Sequence, residues 1–335
     1  METTRNCVLK KNRVLKINPD FMKAAIKTFK APWGETLTPG EATISSDPTV
    51  GTTVAPRAKG KLNVQRFVIP YRIYGSGGHS LVFLNGVQQS MAMWHSFVRR
   101  FSQNYRIVLF DFPNQGAGRI LEGSSYLELD EQVDILDAVI NATVGEGRLT
   151  LCSASWGGVV ALAYAVRHPQ RLKSLILASI GTRANQKMID LITQGLEMVK
   201  DRSQIAAGII ESFGKELPAA MKNRIVSQFE RMDTESFKAF FQHGSTVISV
   251  KELEKVVDLT KVRCKTILLY GENDTIVDFD DVKFLASQVP GSELRVIEGV
   301  GHFLHLEKEE LLEVYADILA SLDLMPRDEP PSLKP

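Results

Sequence analysis

The chain has 335 residues, 44% of them hydrophobic and 24% charged, enough to bury one large core or two small ones, and one main domain with an insertion is the simpler reading. A balance of 40 basic against 39 acidic residues leaves a formal net charge of +1, which supplies no electrostatic footprint for nucleic acid, so no nucleic-acid partner is expected. No apolar run approaches the ~18 residues that would span a bilayer, no uninterrupted signal-peptide core opens the chain, and Cys152 and Cys264 fall in or beside apolar strand-like runs, so a reducing, cytoplasmic setting is expected.

Residues 1–61 read as an N-terminal extension and linker. Lys10, Lys11, Arg13, Lys16, Lys23, Lys27 and Lys30 make its first half basic, and Phe21, Met22, Ala25, Ile26 and Phe29 recur at helical spacing opposite a lysine-bearing face. The expectation is a helix packed on its own domain or a frayed terminus, with contact to a membrane surface or a carrier protein as the minor alternative. Thr38 to Arg57 then reads as a linker.

From Leu62 onward, short apolar runs alternate with helical patterns, as in a mostly parallel sheet with helices on both faces. Eight strands are predicted: Asn63 to Ile69, Tyr71 to Tyr74, Leu81 to Leu84, Tyr105 to Phe110, Leu149 to Ser153, Leu172 to Ala178, Lys265 to Tyr270 and Glu293 to Ile297. Gly75 to Gly78 would turn the chain between the second and third. Helices are predicted at Met91 to Phe101, Leu127 to Asn141, Trp156 to Arg167, Asp278 to Gln288 and Lys308 to Leu322. The core would thus comprise residues 62–180 and 263–324, and the proline-rich, polar residues 325–335 would form a disordered tail.

The stretch 181–262 holds no convincing strand and exceeds an ordinary crossover, so it reads as a helical cap. Met188, Leu191, Ile192, Leu196 and Val199 have helical spacing, while Phe213, Phe229, Met232, Phe237, Phe240 and Phe241 add bulk. Most of these side chains should form the core of a small helical bundle, and some should line a pocket beneath it.

The string Ser153-Ala154-Ser155-Trp156-Gly157-Gly158 ends an apolar strand and opens a helix. A nucleophilic serine on such a strained turn needs small residues two before and two after it, and Ser153 and Gly157 fill those places although glycine is usual at the first. A serine hydroxyl also needs a base and a carboxylate that orients the base. His302 follows the last strand through Glu298-Gly299-Val300-Gly301 and is the expected base, with His305 its nearest competitor. Asp274, in the loop Gly271-Glu272-Asn273-Asp274 after the preceding strand, is the expected carboxylate, whereas Glu272, Asp278, Asp280 and Asp281 are expected to be solvated or to cap the next helix. For a developing oxyanion, the expected donors are the backbone N–H of Trp156 and that of Val87, which follows Asn85-Gly86 after the third strand. No ligand-spaced cluster of His, Cys and carboxylates is present in the sequence, so no metal or cofactor is expected.

These residues resemble the α/β-hydrolase superfamily over Leu62 to Leu322. Leu84-Asn85-Gly86, Val108-Leu109-Phe110-Asp111 with Pro113 and Gly116, Ser153 to Gly158, and Gly301-His302-Phe303-Leu304 with Leu306-Glu307 are similar to bacterial 3-(3-hydroxyalkanoyloxy)alkanoate synthases and 3-hydroxyacyl-ACP:CoA transacylases. The N-terminal extension and the polar pair Gln88-Gln89 depart from that pattern. The resemblance implies an α/β-hydrolase fold and an acyltransferase acting on 3-hydroxyacyl thioesters of an acyl carrier protein or CoA, with Ser155 as nucleophile, Asp274 as orienting acid and His302 as base. An esterase or thioesterase using the same three residues is the alternative, and a non-catalytic binding relative is the third reading.

Overall fold

The computed structural model describes residues 54–322 except 88, 114, 125–126, 198–201, 215–216, 232–233, 235–236, 238–240 and 242–251. The predicted N-terminal helix and the predicted tail lie outside the described residues. Among the described residues nine strands form one mixed sheet: β1 (Ala58–Val64), β2 (Phe67–Tyr74), β3 (Ser80–Leu84), β4 (Arg106–Phe110), β5 (Arg119–Ile120), β6 (Leu149–Ala154), β7 (Leu172–Ala178), β8 (Lys265–Gly271) and β9 (Glu293–Ile297). Their order is β1-β2-β4-β3-β6-β7-β8-β9, with β5 paired to β2. The run from β4 to β9 is parallel, while β1, β2 and β5 are antiparallel to their neighbours.

The first two strands break at a different place from the one predicted. The chain turns at Gln65, which has a φ of 50°, and Pro70 lies inside β2 opposite Lys61. Pro70 is tolerated because its carbonyl accepts from the Asp111 N–H (3.2 Å) and the reciprocal bond, which a proline cannot make, falls where the β2–β4 ladder ends. β1 also starts at Ala58, so the boundary expected at residue 62 falls within a strand. β5, only two residues long, had no periodic signal to announce it.

Alternation along the parallel strands buries both faces of the sheet. Val82, Leu84, Val108 and Phe110 join Leu136, Ile140 and Leu162 on one face, beneath helices Leu129–Thr143 and Trp156–Arg167. Leu81, Phe83, Ile107 and Leu109 join Phe97, Phe101, Tyr315 and Ile318 on the other, beneath helices His95–Phe101 and Leu311–Ser321. Each such fully buried large side chain contributes about 1.5–3 kcal/mol of burial free energy. The predicted helix from Met91 is a 3-10 turn, Met91–Trp94, followed by His95–Phe101, and a separate short helix, Leu304–Glu307, precedes the last one.

Between β7 and β8 the described residues form helices Gln186–Glu197, Arg202–Phe213 and Ala219–Arg231. Ile205, Ala206, Ile209, Phe229, Phe237 and Phe241 share an apolar core of their own. Met188 and Ile192 pack instead on Tyr270, Ile276, Val277 and Val282 of the sheet domain. Among the described residues no helix is long and apolar enough to cross a membrane, and no group of three or more His, Cys, Asp or Glu is placed to hold a metal ion.

Candidate active site

The central strand β6 ends at Ala154 and the helix begins at Trp156, so Ser155 alone makes the turn. It takes φ 48° and ψ −123°, a sparsely populated conformation for a residue with a side chain, at a cost of about 1–3 kcal/mol. Its N–H donates to the Ala178 carbonyl of β7 (2.8 Å) and its carbonyl accepts from the Gly158 N–H (2.8 Å), which holds the turn in place. Gly157 is small for a reason of contact: a Cβ there would lie 2.7 Å from the Asn85 carbonyl oxygen and 2.8 Å from that of Leu84. The buried Ser153 side chain fits where glycine is usual because Gly158 faces it, a Cβ on Gly158 coming to 3.2 Å from Ser153 Oγ.

The loop after β9 brings the His302 ring to the serine, with Nε2 3.1 Å from Ser155 Oγ. The other ring nitrogen, Nδ1, lies 2.9 Å from Asp274 Oδ2. A carboxylate can only accept, so Nδ1 carries the proton and Nε2 is the acceptor for the serine hydroxyl. Asp274 Oδ1 in turn accepts from the N–H groups of Ile276 (2.8 Å) and Val277 (3.1 Å). Burial alone would push the Asp274 carboxyl up, but the His302 charge and hydrogen bond and the two backbone donors outweigh it and hold the group below the usual carboxylate range. The structure therefore brings Ser155, His302 and Asp274 into one hydrogen-bonded chain.

The backbone around His302 is held from three sides by residues that carried no local signal. Ser179, at a φ of 55° after β7, donates its hydroxyl to the His302 carbonyl (2.6 Å). Glu307 brackets the ring residue: one carboxylate oxygen accepts from the Phe303 N–H (2.9 Å), the other from the Gly301 N–H. Glu272 accepts from the Gly299 N–H (3.1 Å), so it steadies the delivering loop. Gly271 allows the β8 loop to approach this one, since a Cβ there would meet the Gly301 carbonyl at 2.3 Å.

His305 does not join this chain. It is buried, its ring stacks on Trp94 at 4.9 Å between centroids, and among the described residues neither of its nitrogens has a hydrogen-bond partner. Burial, with the nearby His302 charge, pushes its pKa down to about 3.

Trp156 opens the helix directly after the serine, and its indole N–H donates to Gln132 Oε1 (2.8 Å). Val87 lies in the loop after β3 that carries Asn85 and Gly86, beside the first turn of that helix. A Cβ on Gly86 would come 3.3 Å from the Ala154 carbonyl, and the Asn85 carbonyl bears on Gly157 as described. Gln89 does not disturb this loop but closes it: its Oε1 accepts from the Gly86 N–H (2.8 Å) and its own N–H donates to the Gly86 carbonyl (3.2 Å).

A buried polar network supports the same loop. Asn85 Nδ2 donates to the Phe110 carbonyl (3.1 Å), Asp111 Oδ1 (3.3 Å) and Gln115 Oε1 (3.3 Å), while Asn85 Oδ1 accepts from Trp94 Nε1 (2.9 Å). Gln115 Nε2 donates to the Gly86 carbonyl (2.8 Å). Burial raises the Asp111 pKa to about 6, against the N–H groups of Met91 and Ala117, the Arg72 charge and the Asn85 amide, which all favour the carboxylate.

A cleft partly open to solvent adjoins the serine and is lined mainly by apolar side chains, among them Trp156, Ile180, Met188, Leu253, Ile276 and Val277. The two ends of the insertion meet beside it, where the Leu253 N–H donates to the Thr182 carbonyl (2.9 Å). Asp281 accepts from the Thr182 N–H (2.6 Å), the Arg183 N–H (3.1 Å) and the Thr182 hydroxyl. It therefore anchors the start of the insertion rather than capping its own helix.

Comparison with known proteins agrees with this architecture. A family model described as alpha/beta hydrolase fold matches residues 79–309. The chain is 22% identical over 253 residues to an (R)-3-hydroxydecanoyl-ACP:CoA transacylase of Ectopseudomonas oleovorans, covering 72% of this chain and 84% of the relative. It is 25% identical over 255 residues to a 2-hydroxy-6-oxononadienedioate/2-hydroxy-6-oxononatrienedioate hydrolase of Burkholderia vietnamiensis, covering 72% and 87%. The fold is similar to that of a thermophilic esterase from Thermogutta terrifontis, with a TM-score of 0.67 and 19% identity over 79% of this chain and 99% of that one.

Proposed function

The chain belongs to the alpha/beta hydrolase fold family and is an enzyme of that family, and we propose that it is a serine acyltransferase acting on 3-hydroxyacyl thioesters of an acyl carrier protein or CoA. The observation that carries this reading is the hydrogen-bonded chain from Ser155 through His302 to Asp274 beside an apolar cleft. The substrate class rests on the similarity to (R)-3-hydroxydecanoyl-ACP:CoA transacylases.

In this mechanism Ser155 Oγ attacks the thioester carbonyl while His302 Nε2 takes the hydroxyl proton, and the Asp274 carboxylate stabilises the imidazolium. The N–H groups of Trp156 and Val87 receive the developing oxyanion, aided by the positive end of the helix that Trp156 begins. Collapse expels the carrier thiolate, which takes the proton from His302, and leaves the acyl group on Ser155. His302 then deprotonates the acceptor hydroxyl or thiol, whose attack releases the acyl group and restores the serine. Water must be kept out of the second half-reaction, and the apolar residues that line the cleft beside the serine, Met188, Leu253, Ile276 and Val277 among them, would serve that purpose.

Incubation of the purified protein with a 3-hydroxyacyl-ACP, with and without CoA, read by mass spectrometry, tests this. The expected result is CoA-dependent acyl transfer that Ser155→Ala abolishes; free 3-hydroxy acid as the sole product overturns the transferase reading. It would favour the second reading, an esterase or thioesterase with the same residues, which the similarity to hydrolases supports.

A further inference from the structure

We propose that Thr275 is a positioning residue that fastens the helical insertion to the segment holding Asp274, so that the wall of the acyl cleft and the orienting acid move as one unit. The inference rests on the proposed roles of Ser155, His302 and Asp274. Thr275 follows Asp274 directly and touches two helices of the insertion. Its hydroxyl donates to the Ser212 carbonyl (2.7 Å) and accepts from Lys187 Nζ (3.3 Å), while its carbonyl accepts from Asn185 Nδ2 (3.0 Å). Asn185 and Lys187 lie at the start of the first insertion helix and Ser212 near the end of the second.

The next two residues complete the connection. Ile276 and Val277 use their backbone N–H groups to hold Asp274 Oδ1, and their side chains line the cleft. The same side chains pack against Met188 and Ile192 of the insertion. An acyl chain in the cleft therefore presses on the residues whose backbone sets the Asp274 carboxylate, and the Thr275 bonds keep the insertion seated over them. A chain too short to reach this wall makes no such contact. Acyl length should consequently act on kcat, through the orientation of His302, as well as on KM.

The test uses the full chain and p-nitrophenyl esters from acetate to decanoate, with kcat and KM measured separately. Thr275→Val removes the hydroxyl and keeps the branched shape; Asn185→Asp removes the donor to the Thr275 carbonyl but keeps the side-chain oxygen that accepts from the Met188 N–H (3.0 Å). In each variant the ratio of kcat for decanoate to kcat for acetate is expected to fall about fivefold, with acetate turnover and each KM changed by less than about twofold. An unchanged ratio in both variants overturns the proposal, and so does an equal loss at every chain length, the signature of a merely structural role. If the wild type resists a fluorophosphonate probe and Ser155→Ala turns over the esters as fast, the catalytic reading itself fails and takes this inference with it. If the wild type is labelled and active while the ratio holds in the variants, only the coupling fails.

Discussion

Gly157 and the Asn85 carbonyl are pressed together so closely that a Cβ on the glycine would lie 2.7 Å from the oxygen. The contact joins the first turn of the helix after Ser155 to the loop that carries Val87. Both proposed oxyanion donors are thus set by one backbone approach. Gly157→Ala must push the loop away, because the obstructing atoms belong to backbone and have no rotamer to change. The expected result is a loss of Ser155 labelling by a fluorophosphonate of about 100-fold, with about 1–3 kcal/mol of stability lost. Labelling at the wild-type rate would show that the loop does not contribute.

His302 and His305 make opposite predictions. His302→Ala should reduce acyl transfer by about 1000-fold or more, since the serine loses its base. His305→Phe should leave transfer largely intact, because the ring is stacked on Trp94 and reaches no polar partner. Equal losses in the two variants would undo the assignment.

His305→Phe also tests an energetic consequence. Burial keeps the imidazole neutral, with a pKa near 3 instead of 6.5. Below pH 6.5 the unfolded chain binds a proton at this residue that the folded chain does not take up until about pH 3, so the ring costs nothing through its titration at pH 7 and draws stability down as pH falls from 6.5 toward 3. Replacing two unpartnered ring nitrogens by carbon should raise stability at pH 7 by about 1–3 kcal/mol. Thermal unfolding followed from pH 7 to 4 should then decline less steeply than in the wild type, with the residual decline including His79, whose pKa burial and Lys173 lower to about 4. An unaltered acid limb would contradict this account.

Asp274→Asn keeps the shape of the acid and removes its charge. The amide can no longer stabilise an imidazolium, and it favours the ring tautomer that presents the wrong nitrogen to Ser155, so kcat should fall by about 10000-fold. Because the Asp274 carboxyl is held below the usual carboxylate range, its contribution to stability is present above that range and is lost as pH falls through its folded value. The variant should lack that component of acid sensitivity, which urea titrations at pH 7 and pH 3 would measure. A kcat within tenfold of the wild type would remove Asp274 from the mechanism.

Asn85→Ala strips four polar neighbours of a buried partner: the Phe110 carbonyl, Asp111, Gln115 and the Trp94 indole. Groups left unsatisfied in this way cost about 1–3 kcal/mol each, so melting should fall clearly. Gln115, which holds the Gly86 carbonyl, also loses its orientation, and labelling of Ser155 should slow. A melting temperature unchanged by the substitution would show that water replaces the amide without loss.

Much of the architecture was legible from period and punctuation. β7 and the helix Trp156–Arg167 lie where their apolar residues and helical spacing put them, because burial on one or both faces dictates those patterns. The strand break near Pro70 was misplaced because a proline at the end of a ladder costs no interior hydrogen bond, a fact of pairing that local composition does not carry.

The sequence by itself determined the order Ser155, Asp274, His302 and their places after three of the strands, β6, β8 and β9, since each sits where a strand ends and a turn must form. Only the tertiary structure decided that these three share a hydrogen-bonded chain and that His305 is shut away against Trp94. It alone revealed that Ser179 reaches a carbonyl 123 residues further along and that Asp111 and Asn85 support the loop of Val87. Periodicity reports which face of an element is buried. Which polar groups meet across distant strand ends depends on sheet register and on the paths of the loops, and those are set by packing over the whole chain.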